Sequence, residues 1–322
     1  MDIENNNSPL SPHPKNDGNE GVEAGSALER VAPGTRARPP VDVSVGHDVT
    51  RIAEAVAQAW HRADHSGRLD VPISVVATIA LVSTTGRHGR DHSPALTEWI
   101  TGDFTDFAHT VWPRIAVARP DLVEAMLPLF RWLFDTEQTH LLPRAQQVAQ
   151  AAVRAGQLAL TGTDRRFDVD LLGVTLTELR PAGARNTRGQ FFTPAPIAES
   201  MASLLQVNEQ HSVADPAVGT GGMFRAVANM MRTQGHDPAT VTWVGNDTDE
   251  IAVGCAAVNA LVWELGERVV LWVGDSLAAE DGYTAALHRR AEMIELAGFT
   301  RQVKTLQAAL ETLTPDPKPS HD

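Results

Sequence analysis

The stretch Ala214-Asp215-Pro216-Ala217-Val218-Gly219-Thr220-Gly221-Gly222 decides the fold. It ends a short β-rich run, Ser212-Val213-Ala214-Asp215, and opens a helical stretch from Met223 to Arg232. A glycine-rich turn between a strand and a helix lets the backbone approach a ligand and offers N–H groups at the helix N-terminus. Gly-x-Gly alone is a weak signal, because many α/β proteins turn this way. Asp215 says more: a carboxylate at the strand end repels phosphate and suits a cationic group. The dinucleotide fingerprint also asks for a third glycine where Phe224 stands. Both residues disfavour a nicotinamide-binding dehydrogenase.

Working outward, Val241–Gly245 and Val269–Val273 are two further β-rich runs, with a helical stretch from Glu250 to Leu265 between them. Strand–helix alternation at this spacing predicts a parallel sheet with right-handed crossovers. Each of the later strands also ends in an acid. Asp247, in Gly245-Asn246-Asp247, can accept two hydrogen bonds from a ribose diol. Asp275, in Gly274-Asp275-Ser276, can accept from an adenine amino group. Any one of the three acids is equally well explained as a helix cap. Together they describe a pocket for a ligand with a diol, an adenine and a positively charged head, above the carboxyl ends of the strands.

Upstream lies Gly189-Gln190-Phe191-Phe192-Thr193-Pro194, followed by a helical stretch through Ile197, Met201, Leu204 and Leu205. Thr193 as cap and Pro194 in the first turn make a sound helix start in their own right. Gln-Phe-Phe-Thr-Pro followed at this distance by Asp-Pro-Ala-Val-Gly-Thr-Gly-Gly resembles the class I N6-adenine DNA methyltransferases, especially the modification (HsdM-type) subunits of type I restriction systems. Asp168 to Arg180, with Leu171-Leu172-Gly173, resembles the helix that precedes the Phe-Thr-Pro segment there. The resemblance covers residues 168 to 277. It implies S-adenosyl-L-methionine as cofactor, with Phe191, Thr193 and Pro194 bordering its methionine end. Asp215, Gly219 and Gly221 would wrap the amino acid portion, Asp247 would hold the ribose and Asp275 the adenine. Asn259 receives no role beyond packing.

The chain departs from that family after Asp275. There a fourth strand ends in Asn/Asp-Pro-Pro-Phe/Tyr, whose polar groups orient the target amine while the ring stacks on the flipped base. Asp281-Gly282-Tyr283 has an acid and the only tyrosine but no proline turn, and Asp316-Pro317 has no aromatic after it. No catalytic residue is therefore assigned. The family's sheet order is 3-2-1-4-5-7-6, and this chain encodes strands 3-2-1 alone. Strand 1 becomes an edge that invites pairing. The helical tail, the N-terminal helices or another chain must cover it. The expected partner is a polypeptide, or a specificity-type subunit, that supplies the rest of the fold. The alternative is a catalytically inactive cofactor-binding or interaction module derived from such an enzyme.

The fold class expected is thus α/β: an all-α N-terminal domain, a partial Rossmann-like parallel sheet and a helical C-terminal tail. Residues 1–43 and 314–322 are proline-rich with few large apolar side chains, a composition that favours disorder. Residues 44–183 form the helical domain, 184–282 the cofactor-binding domain and 283–313 the tail. In the helical part, Ile52, Val56, Ala59 and Trp60 share a face; Ser93-Pro94 starts a helix carrying Trp99, Ile100, Phe104 and Phe107; and Leu122 to Phe134 forms another stripe, kinked at Pro128. These aromatics are read as core.

Hydrophobic residues at 43% and charged ones at 21% are ordinary globular values. The apolar run Val71–Val82 is too short to span a bilayer and reads as a buried helix. With one cysteine, Cys255, and no basic-then-apolar leader, a reducing cytoplasm is expected and no membrane partner. The net charge of −13 argues that any DNA binding by this chain alone is weak or indirect. His61 and His65, spaced i, i+4, and His88 with His92 are read as solvated rather than as metal ligands. Arg180, Arg185 and Arg188 are read as linker, and Cys255 as a small core residue.

Overall fold

The computed structural model describes residues 43–86, 89–180, 193, 195–278 and 281–313. The helical part contains α1 (Val43–Ala63), α2 (Asp70–Ala80), α3 (Ser93–Gly102), α4 (Phe104–Ala118), α5 (Val123–Phe130), α6 (Leu142–Arg154), α7 (Gln157–Thr161) and α8 (Leu171–Leu179). Then follow α9 (Ala195–Ser203), β1 (Ser212–Asp215), α10 (Gly222–Gln234), β2 (Thr242–Asp247), α11 (Glu250–Val262), β3 (Val269–Val273) and α12 (Gly282–Leu313). The strands form one parallel sheet in the order β1-β2-β3, with Val213 beside Trp243 and Gly245 beside Leu271. The expected α/β architecture with a three-strand sheet is the one observed.

Periodicity explains most of the helical part. On α1, Val45, Val49, Ile52, Val56 and Trp60 are buried at helical spacing. Helix α2 is buried on every side, as the run Val71–Val82 predicts. Three expectations need correction. Trp99, Ile100, Phe104 and Phe107 do not share one helix: the chain breaks at Asp103, whose carboxylate accepts from the Asp106 N–H at 2.9 Å and starts α4. Gln146 spans that break, accepting from the Phe104 N–H at 2.7 Å and donating to the Thr101 carbonyl at 2.9 Å. His92, not Ser93, precedes the first turn of α3, and Asp91 accepts from Ser93 instead. In the next stripe the helix runs through Pro128 and passes into a 3-10 turn, Arg131–Phe134, and Phe134 is exposed rather than core.

A continuous set of buried residues joins the helices to the sheet, from Val45 to Val269. Helix α11 is the element that connects them, packing on β2, β3, α5 and α8. Its Cys255 is fully buried, and burial pushes the thiol well above its usual range. Among the described residues, β1 has β2 on one side and no strand on the other, and its Ser212 and Ala214 are exposed. The helical tail does not cover that edge. Helix α12 packs at the opposite side of the sheet, against β3 and the turn Pro120–Leu122.

Gly254 sets the spacing between α11 and α5: a Cβ there would lie 3.0 Å from Leu129 Cγ and 3.3 Å from the Ala125 carbonyl oxygen. Gly254→Val forces the two helices apart, and overpacking of this kind costs about 1–3 kcal/mol. The expected outcome is a lower urea midpoint with an unchanged slope. Unaltered stability would show that α5 and α11 do not pack this closely.

Candidate functional site

The site forms where three strands end. Strand β1 terminates in Asp215 and β2 in Asp247, while Asp275 follows β3 by two residues. The parallel register brings these ends together. With Thr193, Gly219, Asp170 and Arg180 they line one cavity of about 330 Å³, within the size range of small-molecule sites. Phe191 and Pro194 lie outside the described residues. Gly221 is not in the lining; with φ 89° it caps α10 in the left-handed region, where a side chain is strained.

Asp247 organises the glycine turn. One of its carboxylate oxygens accepts from the Gly219 N–H at 3.0 Å and the other from the Asp249 N–H at 3.0 Å. A carboxylate offers about four acceptor sites, so both oxygens retain capacity for a ligand. Gly245 permits the turn to lie on β2: a Cβ there would meet Val218 at 2.9 Å. Asp215 accepts from the Ala217 N–H at 3.0 Å and Asp275 from the Leu277 N–H at 2.9 Å, so each also stabilises its own turn. Burial raises the carboxyl pKa of Asp215, and the neighbouring Asp247 carboxylate pushes the same way.

Sequence reasoning missed the group beneath the glycine turn. Asp170, just before α8, accepts from the Thr220 hydroxyl, from the Gly173 N–H at 2.8 Å and from the Asn259 side-chain amide at 2.8 Å. Asn259 also donates to the Thr220 carbonyl at 2.8 Å, so it ties the turn down rather than merely packing. Gly173 leaves no room for a side chain, since a Cβ would stand 2.3 Å from Asp170 and 2.6 Å from the Thr220 hydroxyl. The only available signal was Leu171-Leu172-Gly173, which carried a resemblance but no contact. Arg180 is not linker: its side chain is buried and ion-paired with Asp249, the N-cap of α11. Arg185 and Arg188 lie outside the described residues. The cavity lining therefore carries four carboxylates against one guanidinium, a balance that favours a cationic ligand group.

Other candidates fall away from this site. His65 lies past the end of α1 and does not share a helical face with His61. Among the described residues no group of His, Cys, Asp and Glu is arranged to hold a metal, and no helix is long and apolar enough to cross a membrane. Tyr283 is exposed, its ring 6.3 Å from that of Trp272.

Residues 175–292 match the model of the N-6 DNA methylase family. That segment is of the N-6 DNA methylase family. It takes in the end of α8, the whole sheet and the start of α12, so the methylase match contains the three strand-end acids. A solved methyltransferase subunit of a type I restriction-modification system, from Streptococcus thermophilus, aligns with 15% identity and a TM-score of 0.46, covering 73% of this chain and 59% of that one. This chain thus spans less than two thirds of that subunit. No curated protein matches it.

The raised pKa of Asp215 fixes the sign of a stability effect. The unfolded chain ionises first, at about 3.9, so the folded state holds the proton longer and loses stability as pH rises through that window. Asp215→Asn keeps the acceptor for Ala217 and removes the charge. The variant is therefore expected to melt higher than the wild type at neutral pH, with the gain vanishing below pH ~3.9. Thermal melts across that range check it; a variant less stable than wild type at pH 7 would contradict the electrostatic account.

Proposed function

We propose that the cavity at the strand ends binds S-adenosyl-L-methionine, and that the chain contributes the cofactor-binding half of a DNA adenine N6-methyltransferase. One observation carries this reading: Asp215, Asp247 and Asp275, from three separate strand ends, line a single cavity beneath the glycine turn. The donor set suits each part of that cofactor. Asp247 has acceptor capacity left for a ribose diol, Asp275 for an adenine amine, and the acid-rich wall for an ammonium and a sulfonium. Gly219 and Gly221 keep the turn close enough for the methionine portion, which Thr193, with Phe191 and Pro194, would border.

The cofactor supplies an activated methyl group; this chain's residues bind and orient it. Methyl transfer also needs polar acceptors that aim the adenine amine, and no residue here is assigned that task. We therefore assign catalysis to an assembly with a second polypeptide, of the specificity-subunit kind or one completing the sheet beside β1. DNA would be held largely by that partner, since a chain of charge −13 has little to offer a phosphate backbone. A second reading, a catalytically silent cofactor-binding module, is favoured by the same missing acceptors. We place the protein in the cytoplasm on either reading.

Calorimetric titration with S-adenosyl-L-methionine and, separately, with NAD tests the pocket. Heat is expected with the former alone. Asp247→Ala removes a charged hydrogen-bond acceptor, a loss of about 1.5–3 kcal/mol, so affinity should fall at least about tenfold. No heat from S-adenosyl-L-methionine would remove both readings. Transfer of a labelled methyl group to DNA, with and without proteins encoded by neighbouring genes, then separates the enzyme from the silent module.

A further inference from the structure

Helix α12 does something the cofactor site does not require. Its first turns are fixed to the body: Ala286 is buried, Arg289 pairs with Glu124 at 3.1 Å and Arg290 with Asp121 at 3.6 Å. Beyond them the described side chains from Ile294 to Thr305 are exposed on every side except at Ala297 and Gly298, which are half-buried. The helix therefore leaves the body and continues to Leu313. From Leu296 onward that is about 27 Å at 1.5 Å per residue.

Such a helix does not sustain itself. Gly298 in its interior costs about 1 kcal/mol, and Thr300, Val303, Thr305 and Thr312 are modest helix formers. Isolated helices of this length are marginal in water, and packing of an apolar face supplies most of their stability. The apolar face is present. Leu296, Phe299, Val303, Leu306, Leu310 and Leu313 recur at alternating steps of three and four, the a and d positions of a heptad seam. Leu296 and Phe299 are 58% and 64% exposed, large apolar side chains that the described residues of this chain leave mostly uncovered.

We infer that the distal half of α12 is a dimerisation helix, pairing with the same helix of a second copy of this chain. Charge selects the occupant. The positions flanking the seam are Glu295, Thr300, Gln302, Gln307 and Ala309, so a single charge borders it. In a parallel pair, where g positions face e positions, Glu295 meets Thr300 and Gln302 meets Gln307. In an antiparallel pair the two copies of Glu295 lie at opposite ends. Neither arrangement sets like charges against each other. The segment as a whole balances Glu295 and Glu311 against Arg301 and Lys304, within a chain of net charge −13. It is a neutral stretch on which two strongly anionic molecules can meet.

Sedimentation equilibrium of the full chain at increasing micromolar concentration is the test. The mass is expected to rise from 34.7 kDa toward twice that value. Leu296→Glu/Phe299→Glu should remain at the single-chain mass while keeping the thermal transition of the body, because both side chains are solvent-facing within one chain. Leu310→Glu, far from the body, should weaken association in the same way, and Lys304→Glu, outside the seam, should not. A wild-type protein that stays at 34.7 kDa, or seam variants that associate as the wild type does, would overturn the inference. The outcome is independent of cofactor binding.

Discussion

The Asp170 carboxylate is the joint on which the rest of the site depends. It takes hydrogen bonds from three places far apart in sequence: Thr220 in the glycine turn, Gly173 in the first turn of α8, and Asn259 on α11. Burial raises its pKa, which means that folding pays for placing this acid where it stands. A group held at such a cost, and bonded at once to the glycine turn, to α8 and to α11, is best understood as positioning that turn against the two helices. Without it the glycine turn would lose the hold on its Thr220 hydroxyl and keep the bonds of Gly219 to Asp247, of the Thr220 carbonyl to Asn259 and of Val218 to the Asn246 carbonyl.

That joint also explains why the helical region accompanies the sheet. The segment before α8 is stitched to the α/β part by bonds to its backbone carbonyls. Trp263 donates to Val169 at 3.0 Å, Arg225 to Asp168 at 2.8 Å and Asn229 to Phe167 at 2.7 Å. Two of these donors lie on α10 and the third, Trp263, is the residue that follows α11, so the crossover segments reach back to the preceding region as well as covering the sheet. Arg180 continues the same connection from the far end of α8, through Asp249 to the start of α11. The cavity is therefore lined on one side by strand ends and on another by Asp170 and Arg180, the residues that flank a helix more than thirty residues before the sheet.

What the sequence made legible follows from the range of the forces involved. Strand–helix alternation and the acids after each strand are local patterns, and the parallel register converts them directly into a shared cavity. The break at Asp103 was hidden because the apolar spacing of Trp99, Ile100, Phe104 and Phe107 continues across it. A capping carboxylate and the Gln146 side chain outweigh that periodicity. Asp170 and Asn259 were hidden for another reason: their bond spans 89 positions, and nothing in the neighbourhood of either residue announces the other. Exposure of Ile197, Met201, Leu204 and Leu205 was equally unreadable, since the same spacing on α10 gives a buried face.

The exposed side chains are not distributed evenly, and their placement bears on how such a chain works. On one side of the sheet β1 has, among the described residues, an edge without a strand partner, with apolar residues of α9 also exposed in the preceding segment; on the other, α12 carries its heptad seam away from β3. A strand edge and an apolar helix face are both surfaces that water solvates poorly and that other chains satisfy. They differ in what they can recognise. An edge strand takes any extended segment of suitable register, so specificity there must come from side chains around the cavity mouth. A heptad seam selects by step length and by the charges that border it. On the proposed reading, the edge beside the cofactor cavity is where a reaction centre would be completed. The seam, set apart from that cavity, can join two copies without obstructing it.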